Sequence, residues 1–196
     1  APDYSVVPAG IIRKIVSGPG NSIYVAGDFR QVSSSGSSTI INQNGLAKVN
    51  TTTGEIDPLF KPNLDCAATY NKPCTIFTAA YIDTLNYVLV GGLFTAANGS
   101  PETGFVILDG TTGATIPRTK VTLARNLRGA RPYVRTIAIN PVNHNEFFIG
   151  GEFSDIGVYP NTFQAYRYGM LKLQFDANNV LSSSSWNAMD ALSASR

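Results

Sequence analysis

Few residues in this chain can do acid–base or nucleophilic chemistry, and their spacing limits what that chemistry is. Asp28 and Glu152 occupy matching places in two similar segments, Val25-Ala26-Gly27-Asp28-Phe29 and Ile149-Gly150-Gly151-Glu152-Phe153. Two carboxylates brought together would serve a hydrolase as acid and base, or hold Ca²⁺. The third matching position is Leu93, and on a strand both carboxylates point away from the Phe side, so solvated strand positions are the stronger reading. His144 is the single histidine and lies in the polar turn Asn140-Pro141-Val142-Asn143-His144-Asn145, where it is expected to be exposed. A Ser-His-Asp triad would need it, and no Gly-x-Ser-x-Gly elbow is present. With one His and two Cys, no metal centre built mainly from these ligands is available, and no cofactor is implied.

Other residue sets suit binding. Arg118, Lys120, Arg125, Arg128, Arg131 and Arg135 form a basic stretch broken by Gly129 and Pro132. Its last four arginines are candidate contacts for phosphate, anionic polysaccharide or an acidic partner, against the plainer account of a solvated loop. Tyr159, Phe163, Tyr166 and Tyr168 would either stack on sugars or cover the adjacent sheet. Asn50-Thr51-Thr52 and Asn98-Gly99-Ser100 match the N-glycosylation sequon.

Cys66 and Cys74 sit in a polar, Pro-containing segment with no other cysteine in the chain. A disulfide in an oxidising compartment is expected. The chain starts Ala1-Pro2-Asp3-Tyr4, as a mature secreted protein does after signal-peptide removal. The predicted location is therefore secreted, extracellular or cell-surface, with the periplasm as an alternative. Of 196 residues 43% are hydrophobic, and 15 basic against 13 acidic residues give +2, which excludes intrinsic disorder and an electrostatic nucleic-acid binder. No apolar run approaches the ~20 residues needed to span a bilayer.

The elements that position these residues repeat. Ser22 to Phe29, Tyr87 to Phe94 and Glu146 to Phe153 share one pattern, and their glycines Gly27, Gly92 and Gly151 stand 65 and 59 residues apart. A second segment follows each, opening at Gly45, Gly104 and Gly169, with a turn residue nine positions later at Gly54, Gly113 and Asn178. Alternation predicts strands, with Ile23, Val25, Gly27 and Phe29 on one face and their counterparts likewise. A strand glycine marks a bulge or a close backbone approach. A further apolar strand precedes each anchor, at Ile11 to Val16, Thr75 to Ile82 and Val134 to Ile139. The predicted fold is all-β with almost no helix: three antiparallel β-sheet repeats of about 60 residues in one domain, propeller-blade-like or a compact three-sheet array. Repeat 1 covers about 11–64, a disulfide-containing linker 65–74, repeat 2 about 75–123, a basic linker 124–133, repeat 3 about 134–188 and a tail 189–196.

The pattern apolar-x-apolar-[Gly/Ala]-Gly-x-Phe, then Asn44-Gly45-Leu46-Ala47-Lys48-Val49-Asn50, then Thr53-Gly54-Glu55-Ile56-Asp57-Pro58-Leu59-Phe60-Lys61-Pro62, resembles the delta-60 repeat of secreted bacterial β-propeller proteins. The resemblance implies blade-like sheets and is nearly silent on activity. Three blades are too few to close a propeller, and open edges invite pairing. The expectation is a secreted, non-catalytic structural or interaction protein, self-associating or joining other extracellular proteins in a layer, filament or adhesion complex. The alternatives are a carbohydrate-binding module using the aromatic loop 159–168, and a hydrolase using Asp28 and Glu152.

Overall fold

The computed structural model describes residues 10–34, 40–66, 74–123, 131–158, 165–166 and 169–184, and these form an all-β structure with no helix among them. The first repeat contributes β1 (Ile11–Ser17), β2 (Ser22–Asp28), the hairpin β3 (Gln31–Ser33) and β4 (Ile40–Asn42), β5 (Leu46–Asn50) and β6 (Leu64–Asp65). The second contributes β7 (Thr75–Ile82), β8 (Tyr87–Leu93), β9 (Ala96–Ala97), β10 (Ser100–Pro101), β11 (Phe105–Asp109) and β12 (Val121–Leu123). The third contributes β13 (Tyr133–Ile139), β14 (Glu146–Glu152), β15 (Asp155–Val158), β16 (Ala165–Tyr166), β17 (Met170–Phe175) and β18 (Leu181–Ser183).

Each repeat builds one antiparallel sheet: β1-β2-β5, β7-β8-β11 and β13-β14-β17. β18 adds a fourth strand to the third sheet, and isolated bridges at Ile56 and Thr115 mark the same place in the other two. The first two sheets join through one bridge, Asp28 to Thr75. Three small sheets lie beside these. β6 from the first repeat pairs with β9 of the second, and β12 from the second pairs with β15 of the third. The repeat boundaries read from sequence thus separate strands that pair across them.

The glycine signature has a geometric cause. The first strand of every sheet carries a bulge, between Ile12 and Lys14, Ile76 and Thr78, and Val134 and Thr136. The carbonyl just before it lies over the anchoring glycine. A Cβ at Gly27, Gly92 or Gly151 would meet the oxygen of Ile11, Thr75 or Tyr133 at 1.9, 2.4 or 2.1 Å. No side chain fits there. The second glycine of each repeat has a positive φ, 67° at Gly45, 74° at Gly104 and 75° at Gly169. It donates its N–H to the carbonyl of Phe29, Phe94 or Phe153 and accepts from the N–H of the first glycine. The two motifs are therefore the two halves of one hydrogen-bonded junction. Phe29, Phe94 and Phe153 are all buried, as expected. In the third repeat the left-handed turn residue is Asn179 and not Asn178, because the strand pairing runs two residues further, to Phe175 and Leu181, before a turn that is one residue shorter.

The sheets stack face to face in two apolar layers. One layer joins Tyr24, Ala26 and Leu46 of the first sheet to Ala79, Val88, Val90, Val106 and Leu108 of the second. The other joins Ala80, Leu89, Phe105 and Ile107 of the second to Ile137, Phe147, Ile149, Leu171 and Leu173 of the third. The sequence places Ile23 and Val25 on one face of their strand. In the first sheet that face is only half-buried, and the fully buried residues are Tyr24 and Ala26 on the opposite side. The reason is positional: Ile23 and Val25 face away from the second sheet.

Candidate functional site

The bulges bring a polar cluster together. The bulged residues are Arg13, Phe77 and Arg135, and they stack: the Arg13 guanidinium lies 5.5 Å and that of Arg135 5.0 Å from the Phe77 ring centroid. Tyr133 packs on the same ring at 5.4 Å. Arg13 Nε and Nη2 donate to the two oxygens of Asp28 at 2.7 and 2.6 Å, a bidentate pair that raises the Arg13 pKa through that hydrogen bond. The Tyr133 hydroxyl donates to Glu152 Oε1 at 2.5 Å, and Arg135 also lies over the Tyr133 ring. Asp28 and Glu152 thus enter one ladder across three sheets, Asp28–Arg13–Phe77–Arg135–Tyr133–Glu152, each held by its own partner. Leu93, at the matching position of the central sheet, is part-exposed. The ladder holds two guanidinium groups over one aromatic ring, that of Arg13 already engaged by Asp28.

His144 is exposed, and its Nδ1 stands 2.9 Å from Asp83 Oδ1 in the neighbouring sheet's turn. The hydrogen bond to His144 and one from the Thr84 N–H hold the Asp83 carboxyl below the usual carboxylate range. Cys66 and Cys74 form a disulfide with Cα atoms 5.5 Å apart, which fits an oxidising compartment. Asn50 Oδ1 accepts from the N–H groups of Thr52 and Thr53, and so shapes its own turn. Asn98 accepts from the Asn63 N–H and donates to the Gly113 carbonyl, so its amide ties neighbouring segments together.

Of the basic stretch, Lys120 donates to the Pro101 carbonyl at 2.7 Å and lies 3.9 Å from Glu102, Arg118 has a φ of 66°, and Arg131 is exposed. Burial pushes the Glu102 carboxyl up to about 7, with Lys120 opposing. Arg125 and Arg128 lie outside the described residues, as do Tyr159, Phe163, Tyr168, the opening segment and the tail; of Tyr166 only the strand β16 is described.

Two features have no counterpart in the motif reading. A cavity of about 550 Å³ is lined by Arg30, Ile41, Gln43, Asn44, Lys61 and Asn63, among others. Gln43 is buried and donates to the carbonyls of Leu46 and Phe60. The second feature is apolar. Ile11, Ile12 and Ile15 on β1 are 54%, 51% and 58% exposed, and Ile40 at the start of β4 is also exposed. Sequence alone could not find this, since an isoleucine strand reads as core. Among the described residues no group of three His, Cys, Asp or Glu gathers as a metal site, and no helix is long and apolar enough to cross a membrane. No family model and no curated protein matches the chain.

Proposed function

We propose that this is a secreted, non-catalytic structural or interaction protein that assembles through its sheet surfaces and edges in an extracellular layer, filament or adhesion complex. The observation that carries the reading is β1, an outermost strand of the first sheet with three isoleucines more than half exposed. Apolar clusters of that kind on a soluble surface mark association sites, and a strand edge adds unpaired backbone groups. The disulfide fits the extracellular location. Size-exclusion chromatography with light scattering tests it. The expected result is a mass above the monomer that falls to the monomer in Ile15→Lys; a wild-type monomer that takes up no partner from its native extract overturns it.

A second reading is recognition of an acidic saccharide. It is favoured by the Arg30 and Lys61 side chains and the carboxamides around one cavity of ligand size. Titration calorimetry with an oligogalacturonate, against its neutral methyl ester, tests this. Heat lost in Arg30→Ala supports it, and equal binding of both sugars refutes it.

A further inference from the structure

Every sheet in this protein has two faces of different character, and the chain pairs them the same way twice. The face carrying Val88 and Val90 in the second sheet lies on the Tyr24 and Ala26 face of the first. The equivalent face of the third sheet, with Phe147 and Ile149, lies on the Leu89 face of the second. Two faces are left over. The first sheet keeps its Ile12, Ile15, Ile23 and Val25 face, and the third keeps the face opposite Phe147 and Ile149.

The leftovers match the partners already used inside the chain. Strand pairing makes Ile12, Ile76 and Val134 equivalent, because they oppose Gly27, Gly92 and Gly151. Ile76 and Val134 are fully buried, whereas Ile12 is 51% exposed. Ile15, Ala79 and Ile137 are equivalent too, at 58%, 1% and 9%. On the other side, the second sheet offers Thr78, Ala80 and Gly91, and the third offers Thr136, Ala138 and Gly150, the same three residue types in the same register. Thr78 and Ala80 are buried, while Thr136 and Ala138 are exposed.

The close contact at the inner junction shows why small residues stand there. A Cβ on Gly91 would come within 2.8 Å of the Val134 side chain. Among the described residues, a Cβ on Gly150 would meet only Thr136 and, at 3.7 Å, the Gly169 carbonyl. Likewise Gly45 lies against Ile76 and Gly104 against Tyr133 of the following sheet, while among the described residues Gly169 approaches only Gly151 of its own. Both third-sheet glycines thus lack, among the described residues, the following first strand that their counterparts meet, and the rest of that face carries Met170 and the Glu146–Lys172 pair.

We infer that the Ile12/Ile15 face of one chain docks on the Thr136/Ala138/Gly150 face of a second copy, head to tail, repeating the stacking between its own sheets. This rests on the assembly reading above and names its partner: the protein itself. The contact is heterologous, so it closes into a ring or grows, according to the rotation per chain. Two copies would bring six sheets together, within the range in which radial sheet arrays close.

The test is directional cross-linking of the full chain, in which Cys66 and Cys74 are already bonded to each other. Ile12→Cys and Gly150→Cys chains are prepared separately, mixed and treated with a short bismaleimide; Thr136→Cys serves as a second acceptor if Gly150→Cys melts early. The expected product is an Ile12→Cys chain joined to a Gly150→Cys or Thr136→Cys chain, formed only in the mixture and lost when Ile15→Lys is added to the first chain. Dominant links between two Ile12→Cys chains show face-to-face dimers, which overturn this inference and leave the assembly reading standing. A multimer by light scattering that gives no link at all does the same. A monomer at every concentration, with no link, overturns both.

Discussion

The Tyr24 hydroxyl donates to the Gly110 carbonyl oxygen at 2.7 Å, across 86 residues of chain and from one sheet to the next. Lys48 Nζ reaches the same oxygen at 3.2 Å while paired with Asp57 at 3.1 Å. The Tyr24 ring packs on Phe60 and Tyr81, at 5.2 and 5.4 Å between centroids. One carbonyl thus fastens the first apolar layer at its rim. Burial raises the Tyr24 pKa, so the phenol stays protonated and remains a donor. Tyr24→Phe keeps the ring contacts and removes only the donor. The expected loss is about 1 kcal/mol, read by urea denaturation.

Gly92→Ala would place a Cβ 2.4 Å from the Thr75 oxygen, in the sheet that carries both apolar layers. Backbone crowding of this kind is expected to cost about 3 kcal/mol or more. Gly27→Ala has a closer clash, 1.9 Å, but lies in a terminal sheet with one covered face. We expect Gly92→Ala to lower the whole melting transition, and Gly27→Ala to open chiefly the first sheet. Hydrogen exchange by sheet distinguishes the two.

Glu102 gives stability a pH dependence of unusual sign for a carboxylate. Its folded pKa is raised from 4.5 to about 7 by burial. The folded chain therefore holds the proton more tightly than the unfolded chain. Its contribution is fully present below about 4.5 and is lost as pH rises through about 7. Glu102→Gln removes the charge and is expected to stabilise the protein at pH 8 by about 1–2 kcal/mol, with little change at pH 4. Denaturation at both pH values checks this.

The Cys66–Cys74 bond closes a loop with a sequence separation of 8. Paired replacement by serine is expected to cost about 2–3 kcal/mol in the chain-entropy model. The loss should appear equally in wild type under reductant.

Phe77→Ala removes the surface on which Arg13 and Arg135 lie. Two part-exposed cation–π contacts are worth about 1–2 kcal/mol together. The same change should leave the Arg13–Asp28 pair intact, which the Asp28 titration by NMR would show. Phe77→Tyr should restore most of the stability.

The repeats were legible because the paired glycines obey local backbone geometry, which each segment carries by itself. The strands followed from alternation in the same way. The ladder was not legible. Arg13, Phe77 and Arg135 are equivalent only through strand register, and they precede their glycines by 14, 15 and 16 residues. The hairpin between the first two strands lengthens by a residue in each repeat, which hides the match from any fixed spacing. Asp28 and Glu152 could be seen as a pair, but their partners Arg13 and Tyr133 come from across a hairpin. The exposure of Ile12 and Ile15 was invisible for a different reason. Their residue types equal those of the buried strands, and only the order of the sheets in space tells them apart.

β6 and β12 each leave the repeat that encodes them and bond to the next. The period of the sequence and the body that folds are consequently out of step by a strand. A fragment cut at the sequence period would strip a strand from one neighbour and leave an orphan on the other. Because those crossing strands tie each sheet to the next, the molecule should resist unfolding as a linked series and not as three detachable beads.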